Sequence, residues 1–487
     1  HTPVAAGHDE FEKHQVRPYI SPYAEKFGIS VDEILSWGEI PGEGKNGKFS
    51  MFCLGVEFSG YINGVSRLHG QVARQMWQGL WPRHQTEEIP ISHVTNGVHI
   101  NSYISRHKNA LLERYLAADW IERQSEPALV SRIDNIDDVD LWHVHEQDRS
   151  NLIRKCRQLI THAEHPVQLV FAGKAHPNDN EGKDLIRRIV EFARQPALRH
   201  RIVFLENYDI NIARYMVQGC DVWLNTPRRP YEACGTSGMK AAANGGLNLS
   251  ILDGWWCEGY DDTRGWRIGN GTDYDDPEYQ DEVESQALFN VLENDAIPVF
   301  YDCKRGNPPK RWIQMMKAAM KMAITDFSSD RMVREYTARF YISAAGNLRD
   351  LTEDSARKAK EMALTQSRLN ALWSHIRLSE PRIRPAEDFA VGDTFSVVID
   401  VFLGELSPDE VEVQVYHGRL RGTGELENSR AETMKLQSTI APGTHVYGCR
   451  VVCSDSGRFG YTARVIPRGD AVLRNTPGLI TWVEMDD

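Results

Sequence analysis

Several things are scarce in this sequence, and each scarcity removes a class of function. The 487 residues include only eight cysteines, scattered, with no CxxC pair. That spacing excludes a zinc ribbon or a thioredoxin-type redox motif, and reduced packing cysteine is the expectation. Cys449 and Cys453 share a face of an expected strand but have no companion ligands, so they read as packing too. No apolar run is long enough to span a bilayer and no secretory leader is visible. A cytoplasmic chain with no membrane partner is therefore expected. Positive charge is in deficit: 56 Lys and Arg stand against 68 Asp and Glu, a net charge of −12. Phosphate-backbone contact needs clustered cations, so nucleic acid is not an expected partner. No HExxH or similar metal spacing occurs; His143 and His145, beside Glu146 in LWHVHEQD, read as structural or surface residues. Internal repeats and low-complexity segments are lacking as well.

The chain is too long for one ordinary core, and two to four domains are expected. GEIPGEGKNGKFS (38–50) reads as a surface loop. An amphipathic helix follows, with Val65, Leu68, Val72, Met76 and Leu80 at helical spacing. From about 166 the pattern alternates. VQLVFAG, RIVFLENY, DVWLNTP and GLNLSIL read as strands, with KDLIRRIVEFAR and NIARYMVQGC as helices between them. This rhythm predicts a doubly wound parallel sheet, and the unbroken apolar run VQLVFAG predicts a strand covered on both faces. Ligands of such sheets bind at the carboxyl ends of strands, where the loops at Gly173-Lys174, Asn207-Tyr208 and 225–235 would converge. Residues 311–346 read as helix, with Trp312, Met316, Ala319 and Ala323 on a core face. Beyond a linker at 378–390, alternating runs such as DEVEVQVYHG predict an antiparallel β-sandwich.

The segment RPYEACGTSGMKAAANGG (229–246) places one lysine, Lys240, among small apolar residues just past a Gly/Thr/Ser turn. It lies between two expected strands, so its helix is a crossover. Thr236 or Ser237 is the expected N-cap. A helix that begins there presents backbone N–H groups and a positive dipole end, a ready anion site. On this chemistry Lys240 has two readings: an amine condensed with an aldehyde cofactor whose phosphate rests on the helix start, or a lysine that snorkels to water.

The wording of these stretches is more specific. EACGTSGMK followed by NGGLNLSILDG resembles the pyridoxal-phosphate segment of the α-glucan (glycogen and maltodextrin) phosphorylases, in their short bacterial and archaeal type. HTPVAAGHD, NGVSRLHG, HVTNGVH, VFAGKAHP, ENYDINIARY and DGWWCEGY agree in order. The resemblance covers about residues 1–345, and the terminal sandwich is similar to this type as well. It implies an α/β fold, the two-lobed GT-B-like architecture of two Rossmann-like lobes. Residues 1–98 would end the N-terminal lobe, 99–377 would form the cofactor-bearing lobe with trailing helices, and 391–487 the sandwich. The implied reaction is reversible phosphorolysis of α-1,4-glucan or maltodextrin by inorganic phosphate, giving α-glucose 1-phosphate with retention, and a homo-oligomer is possible. The implied cofactor is pyridoxal 5′-phosphate, tethered as a Schiff base to Lys240, whose phosphate relays a proton.

Carried over by motif, Gly235, Thr236, Ser237 and Tyr208 would face the cofactor. His1, Val65, Asn96, Glu232, Cys234 and Gly235 would face the sugar. Lys240, His1 and Glu232 are the implied catalytic residues. The sequence also departs from the pattern. Cys234 replaces a serine, a weaker donor. The arginine-rich strand with a Tyr-Lys-Arg element, which binds substrate phosphate in the family, does not precede VFAGKAHP; Arg154, Lys155 and Arg157 lie there in helical context. Without those cations two phosphates would repel each other. Most of the first lobe and its Gly-rich loop are lacking too, and the chain starts without methionine, as an incomplete copy would. Two other functions stay open: a nucleotide-sugar glucosyltransferase of the same architecture, and an inert glucan-binding relic.

Overall fold

The structure is a computed structural model that describes residues 7–40, 42, 47–156, 167–177, 179–198, 201–303, 307–384, 390–420, 426–453 and 456–484. Two of the residues singled out above, His1 and Arg157, lie outside the described residues. Contacts divide the chain into two compact units: His1–His8, Asn63–Ala73 and Ser92–Arg339 form one, and Asp9–Ile62, Arg74–Ile91 and Phe340–Asp487 the other. No helix among the described residues is long and apolar enough to cross a membrane.

The first unit alternates helix and strand as expected. Helices α1 (Arg106–Tyr115) and α2 (Asp138–Cys156) precede strand β1 (Leu169–Ala172). Then come α3 (Asn180–Arg194), β2 (Ile202–Leu205), α4 (Ile210–Gly219), β3 (Val222–Asn225), α5 (Thr236–Ala243), β4 (Leu247–Ile251), the one-turn α6 (Trp256–Gly259) and β5 (Gly265–Ile268). Helices α7 (Lys310–Asp326) and α8 (Ser329–Tyr336) follow. Helix starts are set by polar caps that accept an otherwise orphaned amide. Ser105 accepts from Lys108 N, Asp179 from Gly182 N and Asp209 from Ile212 N.

All five strands pair in parallel, but among the described residues they form two sheets, β1–β2 and β3–β4–β5, where one doubly wound sheet was expected. Burial separates them. Every residue of β4 is buried. In β1, Leu169 is 41% exposed, and α3 buries no residue, with Leu185 54% exposed. The expectation of a strand covered on both faces therefore fails for β1. A two-stranded sheet carries too few neighbours to bury both of its faces.

The core of this unit sits around β4, α5 and α7. Trp120, Trp255, Trp256, Trp312, Met239 and Met316 are buried in it, and the Trp312, Met316, Ala319 and Ala323 stripe packs here as core. His145 is interior rather than metal-facing; its Nε2 lies 2.8 Å from Asp221 Oδ1. The helix Arg67–Met76 forms, but it buries His69, Gly70 and Ala73, not the expected Leu68 and Val72 stripe. Small side chains let its backbone approach Ser92 closely.

In the second unit, helix Lys13–Phe27 and the helical stretch Ile342–Leu372, which is interrupted at Glu353–Ala356, accompany the expected antiparallel sandwich. Strand β6 (Thr394–Phe402) pairs with β8 (Thr444–Val452), and Arg377–Leu378 and Arg382–Arg384 both add to β6. Strand β7 (Val411–Leu420) pairs with β9 (Phe459–Pro467). Val411, Val413 and Val415 alternate inward and are buried. The fold is mixed α/β with a C-terminal antiparallel part.

Candidate functional site

The site is built where β3 and β4 give way to loops. Helix α5 opens on Gly235, which has φ +82° and no capping side chain. The expected caps Thr236 and Ser237 are instead the first two helical residues. Glycine takes the cap because this position needs left-handed backbone, and a Cβ there would meet Glu232 Cγ and Oε1 and Trp255 Cδ1, each at 3.4 Å. The first-turn amides of Thr236, Ser237 and Gly238 have no acceptor within the helix, and the cap residue Gly235 has no side chain to offer one. A positive dipole end is thus left for an external anion.

One turn further in stands Lys240. It is half-buried, and its Nζ lies 4.4 Å from the centroid of the Tyr103 ring. Asn244 sets this pairing. Its Oδ1 accepts from Ser105 N at 2.8 Å, and its Nδ2 donates to Tyr103 O and Lys240 O at 3.0 and 2.9 Å. One buried amide therefore clips the Tyr103 segment to the helix that bears Lys240. At Gly238 a Cβ would stand 2.3 Å from Asn248 Oδ1, so α5 and β4 approach closely only because this residue has no side chain.

The loop before α5 is held from the far end of β4. Asp253 accepts from Glu232 N at 3.0 Å and from Gly254 N at 2.7 Å, and Trp255 N donates to Cys234 O at 2.8 Å. Burial pushes the Asp253 carboxyl up to about 6 despite these two amides and the nearby Arg229. Burial also raises Glu232 and lifts the Cys234 thiol to about 12, opposed by the Asn96 main chain. Cys234 is thus a neutral thiol, not a nucleophile.

Val65 and Asn96, 31 positions apart in sequence, are brought together: Asn96 N donates to Val65 O at 3.0 Å. Val65 N donates to His69 Nδ1 at 3.1 Å. Burial holds His69 down to about 4, in the neutral form that this bond requires. Ser66 Oγ donates to Ala233 O at 2.7 Å, so the turns bearing Val65, Asn96 and Cys234 form one constellation beside α5. Tyr208 follows β2 on the separate two-stranded sheet, half-buried. Arg154 closes α2 and lines a surface cavity of about 360 Å³ with His107, His143 and Gln147. Sequence reading missed Tyr103, Asn244, Asp253 and His69. Tyr103, Asn244 and Asp253 act through partners distant in the chain, which no local pattern reveals, whereas His69 serves Val65 only four residues away.

Residues 118–262 match the Carbohydrate phosphorylase family, and residues 373–484 match the Glycogen phosphorylase C-terminal domain. The chain is 34% identical over 535 aligned positions to the maltodextrin phosphorylase of Thermococcus litoralis, covering 99% of this chain and 62% of that protein. It is 32% identical to the glycogen phosphorylase of Mycobacterium tuberculosis H37Rv, with the same coverage. It is 34% identical over 395 positions to that of Aquifex aeolicus, covering 70% and 56%. The chain spans 62% of the length of the first two curated relatives, and each of those alignments is longer than the chain itself. From the turns at Val65 and Asn96 to the terminal sandwich, the chain is thus similar in sequence to the glycogen and maltodextrin phosphorylases.

Proposed function

We propose that this chain is the cofactor- and sugar-bearing part of an α-glucan phosphorylase. It would act in reversible phosphorolysis of α-1,4-glucan or maltodextrin to α-glucose 1-phosphate with retention, within a GT-B-like architecture. The observation that carries this reading is the uncapped start of α5 with Lys240 one turn inside it. Pyridoxal 5′-phosphate fits these residues: Lys240 would tether it and the amides of Thr236 and Ser237 would receive its phosphate. When bound, it supplies a phosphate that exchanges a proton with the substrate phosphate.

The chain's own residues do the rest. The α5 dipole favours anionic charge at Gly235. The Tyr103 ring packs on the Lys240 side chain and limits its reach into water. Glu232, raised by burial, would accept from sugar hydroxyls, and the main chain at Val65, Asn96 and Gly235 would orient the ring. Such groups act best when their positions are fixed before the transition state forms. The cationic phosphate site expected of a phosphorylase is not assigned among these residues. We place the boundaries at 98, 377 and 390, as the motifs suggest, in a protein acting in the cytoplasm.

The test is borohydride reduction of the purified chain followed by peptide mapping, with phosphate-dependent release of glucose 1-phosphate from maltodextrin as the second readout. Modification at Lys240, and its loss in Lys240→Ala, is the expected result. An unmodified lysine and indifference to phosphate, with turnover of a nucleotide-sugar donor, would replace this reading with a glucosyltransferase. Maltodextrin binding without glucose 1-phosphate release would mark an inert glucan-binding chain.

A further inference from the structure

We infer that Glu258, on the one-turn helix α6, is the positioning residue that fixes the sugar-facing turns at Val65 and Asn96. This rests on the sugar-pocket reading of those two residues. Glu258 is absent from that pocket, and nothing in its own sequence neighbourhood points to either turn. Its carboxylate is nevertheless where they are fastened. Oε1 accepts from Arg67 N at 2.9 Å, and Thr95 Oγ1 lies 2.9 and 2.8 Å from Oε1 and Oε2. The Arg67 guanidinium stands 3.7 Å away, and the Glu258 side chain is only 13% exposed.

Each anchor stands within two residues of a pocket position. Thr95 precedes Asn96, and Arg67 lies two residues beyond Val65. The far side of the same turn is held by a cation: Arg331 donates to Thr95 O and Asn96 O at 2.6 and 3.1 Å. The Thr95–Asn96 peptide is thus gripped by a carboxylate through its side chain and by a guanidinium through its carbonyls. Hydrogen bonds to ionised partners are the stronger ones, and a half-buried setting strengthens them further. Asn96 N is committed to Val65 O and Val65 N to His69, so neither amide is available to take over the bonds that Glu258 makes.

The chemistry also says why the residue is a glutamate. Two oxygens serve an amide, a hydroxyl and a nearby guanidinium, none of which has to compete for a single acceptor. A glutamine keeps one acceptor oxygen, and the Thr95 hydroxyl can reverse to accept from its amide. An alanine leaves Thr95, which is buried, and Arg67 N without partners.

The test uses the full chain, with maltoheptaose as the glucan probe followed by calorimetry. Glu258→Ala is expected to weaken binding about ten-fold or more, the size of losing charge-assisted bonds. Glu258→Gln should recover to within about three-fold, because it restores the bond to Arg67 N. Thr95→Val, a smaller change, should reproduce most of the Glu258→Ala loss, and the double variant should be no worse than Glu258→Ala alone. Where turnover is measurable, KM for the glucan should rise with kcat little changed. Glu258→Ala or Thr95→Val binding as tightly as the parent, or effects of the two that simply add, would overturn the inference while leaving the proposed function standing. Failure of the parent chain itself to bind maltoheptaose would overturn the pocket reading and the role of Glu258 with it.

Discussion

Strands β1 and β4 read alike in the sequence: both are short apolar runs between helices in the same α/β rhythm. In the structure β4 is wholly buried in a three-stranded sheet, whereas among the described residues β1 pairs only with β2 and leaves Leu169 41% exposed. The chemistry follows the burial. Lys240, Glu232, Cys234 and Gly235 all sit on the β3–β4 side, fastened by Asp253, Trp255 and Asn244. Tyr208 stands alone on the β2 side. A site that must hold polar groups in fixed places needs a rigid platform, and only one of the two sheets supplies it.

Substitutions can break this contrast. The largest difference is expected between two leucines: Leu249→Ala, in the buried strand, should cost about 2–5 kcal/mol, and Leu169→Ala less than about 1 kcal/mol. Urea titration of both variants measures it, and equal losses would erase the distinction between the sheets. Two glycines sharpen it. Gly238→Ala puts a Cβ 2.3 Å from Asn248 Oδ1 and should destabilise by about 1–3 kcal/mol. Gly173→Ala, after β1, meets nothing within 4 Å and should change stability by less than about 0.5 kcal/mol.

A smaller effect comes from pH. Asp253, raised by burial to about 6 in the folded chain, is better accommodated when protonated. Its contribution is therefore fully present below the unfolded carboxyl value and is lost as pH rises through about 6. Stability of the parent followed by thermal melts from pH 4 to 7 should carry this decline, and Asp253→Asn should lack it. An unchanged profile in the variant would remove Asp253 as its source. The least effect is expected in hydrogen exchange. Amides of β4 should exchange more slowly than those of β1, and similar protection would show the two sheets opening together.

How far the sequence carried depends on the range of the interaction. Local signals held: the alternation from 167 to 251, the crossover helix of Lys240, the Met316 face and the Val411, Val413 and Val415 alternation all formed as spacing predicted. The cap moved from Thr236 to Gly235 because the deciding constraint was the left-handed φ of one residue, which spacing does not report. The burial difference between β1 and β4 was illegible because hydrophobic pattern reports which residues are apolar, not how many strands stand beside them. Partners such as Asn244 for Tyr103 are joined across 141 positions, and a single sequence records no such pairing.

Strands without a second neighbour have a consequence for handling the protein. Among the described residues, β1, β2, β3 and β5 each pair along one side only, which leaves one unzipped row of amide and carbonyl groups on each. Such a margin templates whatever extended backbone meets it. At high concentration the chain would then recruit its own copies along those rows.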